Sequence, residues 1–167
     1  MHMGYAAFAE AAVAAGLDAL LTVDIPPEEV DGINAELQRV GIDNIFLVAP
    51  TTPNERIARI AARASGFIYY VSLKGVTGAG HLDTADVARR LDAIRSHSDL
   101  PIAVGFGIKD AASARAVAAV ADGVVVGSAL INAMAQAIDD GDGVQAAVSA
   151  AAELLGQIRK GIDSAAS

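Results

Sequence analysis

The alternation of this chain constrains it most. Five short apolar runs each give way to a stretch with helical signals: Ala19-Leu20-Leu21-Thr22-Val23, Asn44 to Ala49, Gly66-Phe67-Ile68-Tyr69-Tyr70-Val71, Pro101 to Phe106 and Gly123 to Val126. β-branched and aromatic residues recur in the runs, and short unbroken apolar runs suit strands buried on both faces. Between them, helices are expected from Phe8 to Ala15, Pro27 to Val40, Glu55 to Ala64, Thr84 to Ser96, Asp110 to Val120, Ala129 to Ile138 and Val144 to Ile162. Gly16 and Gly41 close two of them as C-caps. Pro27 with Glu28 and Glu29 opens another, with acids at the positive end of the helix dipole. Thr52 or Asn54 is the expected N-cap of the helix that begins at Glu55. Repeated strand–helix–strand units with right-handed crossovers give an α/β fold with five parallel strands. Two architectures fit, an open doubly wound sheet or part of a (β/α)₈ barrel. A whole barrel takes eight strands and typically ~250 residues, and this chain has 167.

Composition narrows the function classes. The net charge is −8 with no basic cluster, which argues against nucleic acid. There are no cysteines, hence no disulfide and no thiolate metal site. Charge punctuates every apolar run, which excludes a membrane span, and no signal peptide is evident, so the expected location is cytoplasmic. Met1-His2-Met3 reads as a cloning remnant ahead of a single domain covering residues 4–167. Asp139-Asp140-Gly141-Asp142-Gly143 reads as a turn, since the ligand spacing and closing Glu of a calcium loop are missing.

Three strand ends carry glycine: Gly75 to Gly80, Gly105 with Gly107, and Gly127 with Ser128. In a parallel sheet these ends share one face. Such loops either permit tight strand-to-helix turns or expose backbone N–H groups that cradle an anion. Their spread over three loops, with a short helix after the last strand, favours a phosphate site.

The same residues carry a family resemblance. Ser72-Leu73-Lys74-Gly75-Val76-Thr77-Gly78, Gly105-Phe106-Gly107-Ile108 and Val126-Gly127-Ser128-Ala129 resemble the signatures of the tryptophan synthase α subunit. Leu20-Leu21-Thr22-Val23-Asp24-Ile25-Pro26 and Ile45-Phe46-Leu47-Val48-Ala49-Pro50 resemble its fourth and fifth strands, and the likeness runs from about residue 4 to 162. The resemblance implies a partial TIM (β/α)₈ barrel made of that barrel's fourth to eighth strands. It implies a lyase of tryptophan biosynthesis that cleaves indole-3-glycerol phosphate to indole and glyceraldehyde 3-phosphate, with the tryptophan synthase β subunit as partner. It also implies that Gly78, Gly107, Gly127 and Ser128 hold the phosphate, and that Tyr69, Thr77, Phe106, Leu21, Val23 and Leu47 line the indole pocket. No cofactor or metal is expected in this chain. For Leu21, Val23 and Leu47, a place in the barrel core is the plainer reading.

The family's catalytic Glu and Asp lie ahead of the matched segment, so the expectation is a truncated chain that keeps the phosphate site and lacks both catalytic carboxylates. Asp24 is the best remaining carboxylate at a strand end, although a capping or interface-supporting role suits it better. Lys74 and Lys109 look too exposed for Schiff-base chemistry, which needs a desolvated amine. His81 and His97 have no partner spacing for a metal or a triad. A barrel opened before its fourth strand has two bare strand edges, so a homo-oligomer is expected.

Overall fold

The computed structural model describes residues 3–72, 84–105 and 107–164. The elements run α1 (Tyr5–Ala14), β1 (Ala19–Thr22), α2 (Asp31–Arg39), β2 (Asp43–Val48), α3 (Asn54–Ala61), β3 (Ile68–Val71), α4 (Thr84–Arg95), β4 (Ile102–Gly105), α5 (Ala111–Ala118), β5 (Gly123–Val125), α6 (Ser128–Asp139) and α7 (Gly143–Asp163). All five expected strands are present, and all pair in parallel.

Strand order decides between the two architectures. The sheet runs β1-β2-β3-β4-β5, in sequence order throughout. A doubly wound sheet reverses its order at a switch point, where ligands bind. Here there is no reversal, so successive crossovers of one hand stack their helices on one face, as in an arc of a (β/α)₈ barrel.

Side-chain alternation follows from the register. Phe46 pairs with Ile68, Ile68 with Ile102, Tyr70 with Val104, and Val104 with Val124. This row faces the helices and forms the core with Leu37, Ile57, Leu91 and Val117. The opposite row holds Leu21, Ile45, Leu47, Tyr69, Val71, Ala103 and Val125 on the inner face of the arc. Tyr69 and Tyr70 therefore part company: Tyr70 is 1% exposed in the helix-side core, and Tyr69 lies half-buried on the inner face.

Two details hold the helix layer to the sheet. α7 crosses α5 closely at Gly161, where a Cβ would stand 2.7 Å from the Ala111 carbonyl oxygen. Between β1, β2 and α2 lies a buried polar chain. The Thr22 hydroxyl donates to Asn44 Oδ1, Asn44 Nδ2 donates to Asn34 Oδ1 at 2.8 Å, and Asn34 Nδ2 donates to the Arg63 carbonyl at 2.9 Å. Asn44 N–H also donates to Ser65 Oγ at 2.9 Å. No buried side-chain polar atom among the described residues lacks a partner.

Helix starts differ from expectation in two places. Pro27-Glu28-Glu29 forms an isolated turn, closed by Glu29 N–H to the Pro26 carbonyl, and α2 begins only at Asp31. The fully buried Val30 anchors that break. α3 has Pro53 as its N-cap rather than Thr52 or Asn54. The Thr52 hydroxyl is used earlier, accepting from Ala49 N–H at 3.0 Å.

Candidate functional site

The C-terminal ends of the strands gather the candidate residues. β3 ends at Val71 opposite Gly105, and Ser72 N–H continues the ladder to the Gly105 carbonyl at 3.0 Å. Beyond β4, Gly107 takes φ +79°, a left-handed angle that costs a side-chain-bearing residue energy. β5 passes within two residues into α6, whose N-cap is Gly127. Gly107, Gly127 and Ser128 therefore lie at one end of the sheet. Gly78 and Thr77, with the rest of their loop including Lys74 and His81, lie outside the described residues, as does Phe106.

The start of α6 is bare. Gly127 offers no side chain to cap it, and a Cβ built there would meet nothing within 4 Å. The first amides of a helix have no partner inside it, and they carry the positive end of the dipole. Backbone N–H groups at such a helix start can receive an anion.

The inner face supplies an apolar wall. Tyr69 stands in register with Leu47 on one side and Ala103 on the other. Its ring lies across the neighbouring strand over Gly105: a Cβ on Gly105 would fall 2.6 Å from Tyr69 Cε2 and 2.7 Å from Cζ. Burial pushes the Tyr69 phenol above its ordinary pKa of 10.0, so it stays a neutral hydroxyl. Leu21 pairs with Ile45, and Val23 follows one residue past β1. Leu21 is 41% and Val23 64% exposed, and Leu47 is half-buried. None of the three joins the helix-side core.

The remaining candidates separate. Asp24 is exposed past the end of β1, caps no helix, and makes no hydrogen bond or ion pair with a described residue. Lys109 is exposed at the start of α5, and His97 is exposed just past the end of α4. No cluster of three metal-ligating side chains occurs among the described residues, and no helix among them is long and apolar enough to cross a membrane.

Two features escaped the sequence reading. The contact of Tyr69 with Gly105 depends on cross-strand register. The reciprocal cap of α5 joins Asp110 to Ser113: Ser113 N–H donates to Asp110 Oδ1 at 2.8 Å, and Asp110 N–H donates to Ser113 Oγ at 3.2 Å. The spacing Asp-x-x-Ser ahead of an Ala-rich helix was its available signal.

Comparison with known proteins agrees with this geometry. The family model described as tryptophan synthase alpha chain matches residues 1–160. A tryptophan synthase alpha chain of Thiobacillus denitrificans is 52% identical over 164 residues, 98% of this chain and 58% of that protein. One from Chromobacterium violaceum is 61% identical over 129 residues, 77% of this chain and 49% of that protein. The crystal structure of tryptophan synthase subunit alpha from Legionella pneumophila superposes with a TM-score of 0.83 at 39% identity, covering 98% of this chain and 58% of that one. The chain thus spans a little over half the length of most of these relatives. With a single unreversed parallel arc, glycine-ended strands and this depth of sequence identity, the chain belongs to the tryptophan synthase alpha chain family.

Proposed function

We propose that this chain carries the phosphate-binding and indole-facing part of a lyase that acts on indole-3-glycerol phosphate. Gly107, Gly127 and Ser128, with Gly78, would receive the phosphate on backbone N–H groups. Leu21, Val23, Leu47 and Tyr69, with Thr77 and Phe106, would face the indole ring, whose flat apolar surface suits such a wall. The observation that carries the reading is the uncapped start of α6, where a Cβ on Gly127 would meet no described atom within 4 Å, at the sheet end where Tyr69 crosses Gly105.

Cleavage into indole and glyceraldehyde 3-phosphate requires a proton delivered to the indole carbon, a proton removed from the glycerol hydroxyl, and assistance at the ring nitrogen. Asp24 stands exposed at a strand end on the side of the site and has no hydrogen-bond or ion-pair partner among the described residues, while Asp110 is engaged as the N-cap of α5. The 167-residue chain by itself is therefore expected to bind and not to turn over. The β subunit would take up the indole in the intact assembly. The test is indole release from indole-3-glycerol phosphate, read by absorbance, alongside glycerol phosphate binding by calorimetry. Binding without release is expected. Release that disappears in Asp24→Asn would overturn the inactive reading, and absence of any glycerol phosphate binding would overturn the site.

A second reading concerns assembly. Among the described residues β1 and β5 each have one unpaired edge, and apolar side chains line the face between them. These favour a homo-oligomeric structural role.

A further inference from the structure

We infer that Gly161 of α7 is a positioning residue for the phosphate group. By letting α7 close on the first residue of α5, it sets where the Gly107 turn stands and so how tightly that turn holds an anion. The inference rests on the phosphate reading of Gly107 proposed above, and it assigns part of that site's geometry to a helix remote in sequence.

The contact is specific. α7 lays Leu154, Ile158 and Ile162 against the core that holds Ala114 and Val117 of α5. Position 161 falls on the same stripe, since one helix face recurs every three or four residues. A Cβ at that position would stand 2.7 Å from the Ala111 carbonyl oxygen, 2.9 Å from its Cβ and 3.1 Å from its Cα. The oxygen and the Cα are backbone, so no side-chain rotation relieves the overlap, and the start of α5 has to move against α7. Gly156, on the same helix, is the contrast: a Cβ there meets no described atom within 4 Å. Helix propensity favours alanine at both positions. Of the two, position 161 is the one where a neighbour excludes it.

The move would travel. Ala111 opens α5, and the residues before it are held to that helix as one piece. Lys109 N–H and Asp110 N–H both donate to Ser113 Oγ, at 3.1 and 3.2 Å, and Ser113 N–H donates to Asp110 Oδ1 at 2.8 Å. Ile108 is 5% exposed and belongs to the core. Gly107 precedes it at φ +79°. With its amides tied to the first turn and its apolar side chain buried, this stretch has little slack to absorb a shift of Ala111, and the shift reaches Gly107. A hydrogen bond tolerates about half an ångström in length, so a small displacement of that turn is felt by a bound anion. Removing the Asp110 carboxylate takes a bond from this corner and inserts nothing against Ala111, so it leaves the turn in place.

The test compares wild type, Gly161→Ala and Gly156→Ala by glycerol phosphate calorimetry and by the backbone amide resonances of the free protein. Gly161→Ala should weaken binding roughly tenfold, the size of one lost hydrogen bond to a charged group. It should also shift the Gly107 and Ile108 amide resonances before any ligand is added. Gly156→Ala adds the same methyl group to the same helix and should change neither. Combining Gly161→Ala with Ala111→Gly removes the Cβ overlap and leaves the carbonyl one, so part of the affinity should return. The double variant also carries the test if Gly161→Ala alone does not fold, and it should still bind more weakly than wild type. Binding equal to wild type in whichever of these chains folds overturns this inference and leaves the phosphate reading standing. So does an equal loss in Gly156→Ala, or a loss in Gly161→Ala with the Gly107 resonance unmoved. No glycerol phosphate binding by the wild type overturns the phosphate reading, and this inference with it.

Discussion

Two neighbouring helices begin at the same end of the sheet and end their backbones differently. α5 is closed by its own sequence. Asp110 places a carboxylate on Ser113 N–H, and the Ser113 hydroxyl accepts from Asp110 N–H and from Lys109 N–H at 3.1 Å. α6 has Gly127 in the equivalent place, with no side chain and open space where a Cβ would stand. The first helix has used its orphan amides for stability. The second has no side-chain cap for them. Gly127 takes φ −124° and ψ −86°, outside the left-handed region.

Four experiments sharpen or break this contrast. The largest effect is expected for Gly127→Asp, which should abolish glycerol phosphate binding by placing a negative side chain at the anion site. Because a Cβ at Gly127 meets no described atom within 4 Å, the melting curve should move little beside the loss of binding. Binding equal to wild type in a titration would remove α6 from the site. Gly107→Ala comes next, because its φ of +79° should cost about 1–2 kcal/mol on urea unfolding. Gly107 differs from Gly127 in that its loss should register as stability. Smaller again is Asp110→Ala, which should cost about 1 kcal/mol as a lost N-cap and leave glycerol phosphate affinity unchanged. A change in affinity there would mean the two helix starts are not separate in function.

The smallest effect is a pH dependence of that last difference. Hydrogen bonds from Ser113, first its backbone N–H and then its hydroxyl, hold the Asp110 carboxyl below its ordinary value of 3.8. A carboxyl lowered in the folded state contributes stability above the unfolded value and loses it as pH falls through the folded one. Wild type and Asp110→Ala should therefore differ fully at neutral pH and converge well below pH 3.8 in parallel urea titrations.

The strands were legible because each is a compact β-branched or aromatic run, and Gly127-Ser128 was legible because a strand passes there directly into a helix. The faces were less so. Ile68-Tyr69-Tyr70-Val71 is apolar at every position, so nothing in it says which tyrosine faces the helices. Only pairing with β2 and β4 fixes that Tyr69 looks inward. Leu21 and Val23 read as core because they are apolar, and their exposure depends on what covers the inner face. The start of α2 was misplaced because Pro27-Glu28-Glu29 satisfies every local rule for a helix start and completes just one turn.

The buried Thr22–Asn44–Asn34 chain acts as an index mark on this fold. Apolar side chains slide past one another at little cost, and a strand shifted by one residue turns every side chain over. An amide does not slide: each donor and acceptor in the chain has one partner, contributed by β1, β2, α2 or the turn before β3. Shifting β1 by one residue would strand Asn44 in an apolar layer, at about 1–3 kcal/mol for each group left unmet. Three buried polar side chains on the helix side thus decide that Leu21, and not its neighbour Leu20, belongs to the inside of the arc.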